Sequence, residues 1–456
     1  MRFVFSPPTD LAGGLLSLPW EQPLEEWTDD RIVEIQQRGI SRHVVRFVAE
    51  AGRVYALKEI DERLARREYR LLRELDDLGI PAVTVVGVVI DRGRVDGIEL
   101  DALLVTEFLD FSSSYRALFC DHRSGHPTSL LLDALVELLV RLHLAGFYWG
   151  DCSLSNTLFR RDAGTLKAYL VDAETAEIHP SLSDGRRADD VVCAFERVGG
   201  ELFDLQAGGL LPEEIDPVEV AEEVTQRYER LWRELTYEEV MRPQDQRYRI
   251  GERLRRLNEL GFDAEEVELI TTGDEVRLKL TTRVGEPGHD RWLLFRRVGL
   301  VVEENQARRL LNDMASFRGY LEQKHDRPVP EAEAANRWLA EEYAPIIAAI
   351  PGHLRGRLAP AEIFYEILEH RWYLSEGAGR DVGTTAASQS YFTDILPTVP
   401  EDLSTEVAVA TQAVATQAVA TQAVATQAVA TQAVATQAVA TQAVATQAVA
   451  PRVAAD

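Results

Sequence analysis

Short runs in which apolar and polar residues alternate fill the first hundred positions, and longer runs with helical spacing fill most of the rest. Ile32 to Gln36, Val44 to Val48 and Arg53 to Ile60 read as strands, the last two parted by Ala51-Gly52, and together they predict an antiparallel meander. A helix is expected to open at Asp61-Glu62, whose acidic side chains suit an N-terminus, and to carry Leu64, Tyr69, Leu71, Leu72 and Leu75 until Gly79-Ile80-Pro81 stops it. Thr84 to Ile90 and Leu100 to Glu107 follow as strands joined by Asp91-Arg92-Gly93-Arg94, completing a small α+β lobe of five strands and one helix.

After Phe108 the pattern turns helical, most clearly over Ser129 to Leu144, before a polar loop and the strand pair Thr157 to Phe159 and Ala168 to Asp172. From Asp189 to Pro400 helices dominate, with a hairpin expected where Glu275 to Thr281 and Arg291 to Arg297 flank Gly285-Glu286-Pro287-Gly288. A domain boundary is expected near Gly208-Gly209. From Val407 to Ala450 the chain repeats A-V-A-T-Q. Five residues advance about 140° around a helix and an odd period alternates faces in a strand, so the repeat builds no apolar stripe. It reads as a low-complexity, disordered tail.

The 456 residues carry 49 Lys plus Arg against 75 Asp plus Glu, a formal charge of −26. A surface this acidic repels phosphate backbones and anionic lipid, which argues against nucleic-acid and membrane-surface binding. Cys120, Cys152 and Cys193 form no C-x-x-C pair, which excludes a disulfide framework or a structural zinc site and points to a reduced, cytoplasmic protein. Ser6-Pro7-Pro8 leaves no room for the apolar core of a signal peptide. Leu130 to Trp149 carries Asp133, Glu137, Arg141 and His143, so it reads as an amphipathic helix and no membrane span is expected.

Three signals fall in the order that phosphotransfer needs. Ala56-Leu57-Lys58-Glu59 puts a Lys on the third strand, with Glu68 on the next helix placed to pair with the ammonium, and such a Lys holds nucleotide phosphates. Gly150-Asp151-Cys152-Ser153-Leu154-Ser155-Asn156 runs off a helix into a loop in which Asp151 faces an incoming hydroxyl while the amide oxygen of Asn156 reaches a metal. Tyr169-Leu170-Val171-Asp172 ends a strand in an acid where a second hard oxygen ligand is needed, a chemistry that suits Mg2+. His143, eight residues before Asp151, reads as a buried post bracing this loop.

With these words in place, residues 30 to about 200 resemble the protein-kinase-like superfamily, nearest its RIO and lipopolysaccharide (Kdo) kinase branches, whose catalytic loop reads G-D-x-S-x-x-N in many members. Residues 3 to 400 resemble more narrowly the actinobacterial DUF4032 family, through R-G-I-S-R-H from Arg38, G-D-C-S-L-S-N from Gly150, L-V-D-A-E-T-A-E from Leu170, E-L-F-D-L-Q-A-G-G from Glu201, N-Q-A-R-R-L-L-N-D from Asn305 and L-E-H-R-W-Y-L-S-E from Leu368. The resemblance implies an α+β, bilobal protein-kinase-like fold: an N-lobe over 1–110, a C-lobe over 111–208, a mostly helical DUF4032-like domain over 209–404 and the tail over 405–456.

It further implies ATP and Mg2+ as cofactors, Lys58 as the phosphate-binding Lys, Glu68 as its partner, Asp151 as catalytic base, and Asn156 and Asp172 as metal ligands. Glu107 and Leu109 fall where kinases pair backbone groups with adenine, and Gly39 and Ser41 lie in the loop that covers the nucleotide. That loop has one glycine where typical kinases have three. Ser153 replaces the Lys that typical protein kinases carry beside the transferred phosphoryl group, and Ala173-Glu174 replaces Phe-Gly after the metal-binding Asp. Glu174 is a candidate extra ligand or a hydrogen-bonded structural residue.

Two functions follow as expectations: a phosphotransferase acting on a hydroxyl of a small molecule, glycolipid precursor or protein, or a pseudokinase-like module that binds nucleotide or a regulatory partner without transfer. In the second domain, Arg247 to Leu257 reads as a helix with a solvated basic face, the cluster His289, Arg291, Arg296 and Arg297 as a candidate anion site, and Glu369 to Tyr373 as a packed helical seam.

Overall fold

The computed structural model describes residues 1–399 apart from 6–11, 29, 34–42, 51, 121–126, 213, 238, 242–261, 273–274 and 285–287. Gly39, Ser41, Arg247 to Leu257 and the A-V-A-T-Q tail lie outside the described residues.

A six-stranded antiparallel sheet builds the first lobe from β1 (Arg2–Phe5), β2 (Ile32–Val33), β3 (Val44–Glu50), β4 (Arg53–Ile60), β5 (Val85–Ile90) and β8 (Ala102–Glu107). Their spatial order is β1-β5-β8-β4-β3-β2, and the two-residue strands β6 (Arg94–Val95) and β7 (Ile98–Glu99) form a separate hairpin between β5 and β8. The expected meander is β2-β3-β4, while β1 is an added edge strand that pairs with β5 from Arg2↔Ile90 to Phe5↔Gly87.

Alternation along β4 sends Tyr55 and Leu57 to one face of the sheet, where they meet Leu15, Trp20, Leu24 and Trp27 of the N-terminal segment. Arg92, fully buried, locks that segment down by donating to the Trp20 carbonyl at 2.7 Å and to Glu59 at 2.5 Å. The opposite face carries Lys58 and Ile60 toward helix α2 (Glu62–Asp77), which Asp61 caps through the Arg63 N–H.

In the second lobe, helix α4 (Pro127–Leu144) runs beneath the strand pair β11 (Thr157–Asp162) and β12 (Thr165–Leu170), with β10 (Phe147–Tyr148) and β13 (Glu177–Ile178) pairing beside it. Helices α5 (Asp184–Ala207) and α6 (Pro217–Thr236) pack together, and α6 packs against α4. The expected boundary at Gly208-Gly209 falls on the turn between them, yet Val220, Val224, Tyr228 and Leu235 of α6 lie in the first core with Leu139 and Leu202.

The remainder has its own core, in which Trp338, Tyr343, Phe364, Ile367 and Tyr391 meet. It is helical over His289–Val298, Glu304–His325, Glu331–Trp338 and Pro360–Ala378. The hairpin anticipated for Glu275–Thr281 and Arg291–Arg297 is corrected here. The strand Glu275–Val284 pairs with Phe262–Thr272 instead, and Arg291–Arg297 lies in a helix bounded by Gly288 and Gly299, both with positive φ.

Candidate functional site

Lys58 projects from β4 into the space between sheet and α2, where Glu68 shares the inward helical stripe of Ala65, Leu72 and Leu75. Its Nζ lies 3.2 Å from Glu68 Oε2, 2.8 Å from Asp172 Oδ2 and 3.6 Å from Glu174 Oε2. Burial alone would depress the ammonium, but Glu68 and Asp172 outweigh it and its pKa is raised, so the group stays charged. Glu68 is pushed up to about 7, first by burial and then by the charge on Asp172, against the pull of Lys58.

Three carboxylates therefore surround one ammonium. His43 adds to the group by placing Nε2 3.0 Å from Glu174 Oε2, tying the segment before β3 to the residues after β12. Among the described residues, no three His, Cys, Asp or Glu side chains gather as a metal-holding cluster. Asp172 carries a carboxylate and Asn156 an amide, hard oxygen groups of the kind that suit a small cation completed by phosphate and water oxygens.

Asp151 and Asn156 sit on the loop after β10. Gly146 and Gly150 shape it: both have positive φ, and a Cβ on Gly146 would lie 2.0 Å from the His179 carbonyl. Asn156 donates through Nδ2 to Asp151 Oδ2 at 3.0 Å and to its carbonyl at 3.1 Å, leaving its own amide oxygen facing away from those two bonds. At the far end, the Val171 N–H donates to the Asn156 carbonyl at 3.0 Å, which joins the loop to the residue before Asp172.

The loop's own backbone is held by a stripe on α5 that sequence reasoning did not assign to the site. Buried Asp190 accepts from the Trp149 N–H at 2.7 Å and the Gly150 N–H at 2.9 Å. Eleven positions on (201 − 190), three helical turns later, Glu201 accepts from the Leu154 and Ser155 N–H groups at 2.8 and 2.9 Å. Between them Arg197 places Nε 2.9 Å from Asp151 Oδ1. His143, buried, lies 3.1 Å from Asp190 Oδ2 and 2.7 Å from the Tyr228 hydroxyl. An acceptor on one side sets the tautomer, with Nε2 protonated and Nδ1 accepting from Tyr228.

Glu107 and Leu109 lie at the end of β8. The Glu107 N–H donates to Thr84 and the Phe108 N–H to Val54, both at 2.8 Å, while the Leu109 carbonyl accepts from Ser112 Oγ at 2.7 Å. Glu107's carboxylate is held by Arg53 at 2.6 Å. Farther off, His289, Arg291, Arg296 and Arg297 are distributed around one short helix, with Arg297 paired to Glu331 and Arg296 stacked on Trp292.

Residues 36–189 match the lipopolysaccharide kinase (Kdo/WaaP) family, and residues 230–396 match DUF4032, a domain of unknown function. The chain thus carries a stretch similar to that kinase family followed by a stretch similar to DUF4032. The chain is 29% identical over 154 residues to the EKC/KEOPS complex subunit BUD32 of Encephalitozoon cuniculi, a match that covers 33% of this chain and 66% of that protein, just under two thirds of its length. Among solved structures, WaaP in complex with acyl carrier protein is similar at 20% identity and a TM-score of 0.33, over 57% of this chain and 99% of that one. An aminoglycoside-3'-phosphotransferase of type VIII is similar at 16% identity and a TM-score of 0.31, over 44% and 87%. Among the described residues, no helix of the kinase-like or DUF4032 part is long and apolar enough to cross a membrane.

Proposed function

We propose that this chain is an ATP- and Mg2+-dependent phosphotransferase that acts on a hydroxyl. The observation that supports it best is the convergence of Glu68, Asp172 and Glu174 on the single ammonium of Lys58, which puts a cation able to bind phosphate beside an acid able to bind a metal.

In this reading Lys58, oriented by Glu68, releases Asp172 to grip the phosphates, and backbone groups of Glu107 and Leu109 meet the base. Asn156 and Asp172 hold Mg2+, which when bound neutralises charge on the phosphates. Asp151 accepts the proton of the attacking hydroxyl. The resemblance assigns phosphate binding to Gly39 and Ser41, which lie outside the described residues. A site of the cytoplasm is the natural setting, since both ATP and a reduced cysteine set belong there.

The test is binding against transfer. Asp172→Ala is expected to abolish Mg2+-dependent nucleotide binding in a calorimetric titration, because it removes a ligand. Asp151→Asn is expected to bind as wild type and to lose transfer by about 10²–10⁴-fold, the usual worth of a general base. Wild-type affinity in Asp172→Ala would refute the assignment. Binding without ADP release by wild type would mark a binding module instead.

A further inference from the structure

The ion pair between Arg197 and Asp151 has no part in the mechanism above. We infer that Arg197 reads the acceptor: it covers the base until an acceptor carrying an anionic group, a phosphate or carboxylate near its hydroxyl, draws the guanidinium away. The inference rests on the phosphotransfer reading of the cleft and names the acceptor class for it.

Both oxygens of Asp151 are engaged. Oδ2 accepts from Asn156, which also bonds the Asp151 carbonyl and is anchored through its own N–H to Ser153 Oγ at 3.1 Å. That side is fixed by short-range bonds within the loop. Oδ1 is different, because its ion-pair partner comes from another element, α5, on a long side chain. The Arg197 side chain is 52% exposed and that of Asp151 only 16%, so the arginine is the more accessible partner of the pair. A hydroxyl approaching Oδ1 competes with the guanidinium.

The chemistry of the loop makes that cation informative. Ser153 is buried and its hydroxyl already accepts from Asn156, so the loop offers no positive side chain of its own beside Asp151. A guanidinium held by a carboxylate is released at little cost only to another planar or tetrahedral oxyanion that matches its donor fork. A neutral acceptor offers no such exchange. Anionic acceptors thus uncover the base as they bind, and water does not.

The step that follows balances. The acceptor oxygen, with Oδ1 now free to take its proton, forms a bond to the γ-phosphorus of a nucleoside triphosphate. The bond from that phosphorus to the β–γ bridging oxygen breaks, and the nucleoside diphosphate leaves with the electron pair.

Inorganic sulfate is a suitable probe, since it is an oxyanion with no hydroxyl to phosphorylate at neutral pH. ADP release to water by the full chain is followed at saturating Mg-ATP for wild type, Arg197→Gln and Arg197→Lys, with and without sulfate. Wild type is expected to be accelerated by sulfate in a saturable way. Arg197→Gln should start about two- to fivefold faster than wild type, the release of a half-exposed ion pair, and ignore sulfate. Arg197→Lys should regain part of the response. Misfolding lowers such a rate and does not raise it, so the gain in Arg197→Gln separates a gating role from a structural one. A slower Arg197→Gln, or one that keeps the sulfate response, overturns the inference while wild-type activity leaves the phosphotransfer reading standing. Silence from all three proteins overturns both.

Discussion

Asp190 concentrates more of the site's geometry than any residue whose chemistry was legible in advance. It has no solvent exposure, and its two oxygens take the N–H groups of Trp149 and Gly150 and the Nε2–H of His143. Removing that carboxylate leaves two buried donors and one partly buried donor without an acceptor, and each orphaned buried donor costs about 1–3 kcal/mol. Asp190→Ala is therefore expected to lower stability by about 3–5 kcal/mol, in the range for breaking a buried charged network. Urea denaturation checks this, and a loss below about 1 kcal/mol would mean that water or Tyr148 takes over the acceptor role. Asp151 itself is a different case. Its identity is readable from Gly150-Asp151 and from Asn156 five positions later, because a loop of this length keeps sequence neighbours together in space. Asp190 and Glu201 carry no such local word, since what makes them part of the site is a helix folding back over the loop.

At the level of elements, the β11–β12 hairpin couples the two domains. Its near ends adjoin Asn156 and Asp172, and its far end is held by the DUF4032 part. There Asp162 accepts from the Gln306 N–H at 2.8 Å at the start of helix Glu304–His325, and the Ala163 N–H donates to Glu362 at 2.9 Å. Gln306 Nε2 bridges the Arg161 carbonyl at 3.0 Å and Glu362 at 2.7 Å, and Tyr169 donates to Glu303 at 2.6 Å. Burial raises Glu362 to about 7, against the lowering effect of those hydrogen bonds, and raises Asp162 to about 6. Both carboxyls sit above their ordinary unfolded values, so each contributes stability that is fully present below about pH 4 and is lost as pH rises through 6 to 7. Replacing Glu362 with Gln keeps an acceptor and removes the charge. Glu362→Gln is expected to gain about 1–3 kcal/mol over wild type at pH 8 and nothing at pH 4, seen as melting curves that converge in acid; parallel curves would reject the account. Such a joint was not legible beforehand, because N-Q-A-R-R-L-L-N-D records only a helix. The strands of the first lobe were readable, since alternation and turn residues are local signals. Arg291–Arg297 was misread because Trp292 and Phe295 are more than half exposed and blur the helical period, and because a strand's partner is chosen by distant residues.

For the whole molecule, the decisive question is where the kinase-like unit ends. Composition and turn residues favour Gly208-Gly209, the family match of the first part stops at 189 and that of the second begins at 230. Packing favours a later limit. Helix α6 places Val220, Val224, Tyr228 and Leu235 in the core with Cys152 and Leu154 of the Asp151 loop, and Tyr228 completes the His143 bridge to Asp190. Arg227 ties α6 to α4 through Asp133 at 2.6 Å and the Ser129 carbonyl at 3.1 Å, and Arg187 of α5 lies 3.9 Å over the Trp232 ring. Burying each large apolar side chain is worth about 1.5–3 kcal/mol, so losing four of them removes much of the 5–15 kcal/mol that holds a domain of this size. A chain cut after residue 208 is therefore expected to show no cooperative melting transition. One cut after residue 237 keeps α6 and should melt cooperatively, several degrees below the full chain because the Asp162 and Tyr169 contacts to Gln306 and Glu303 are gone. Circular dichroism on the two fragments decides between the limits, and a sharp transition in the 1–208 fragment would return the boundary to Gly208-Gly209 and make α6 part of the second domain.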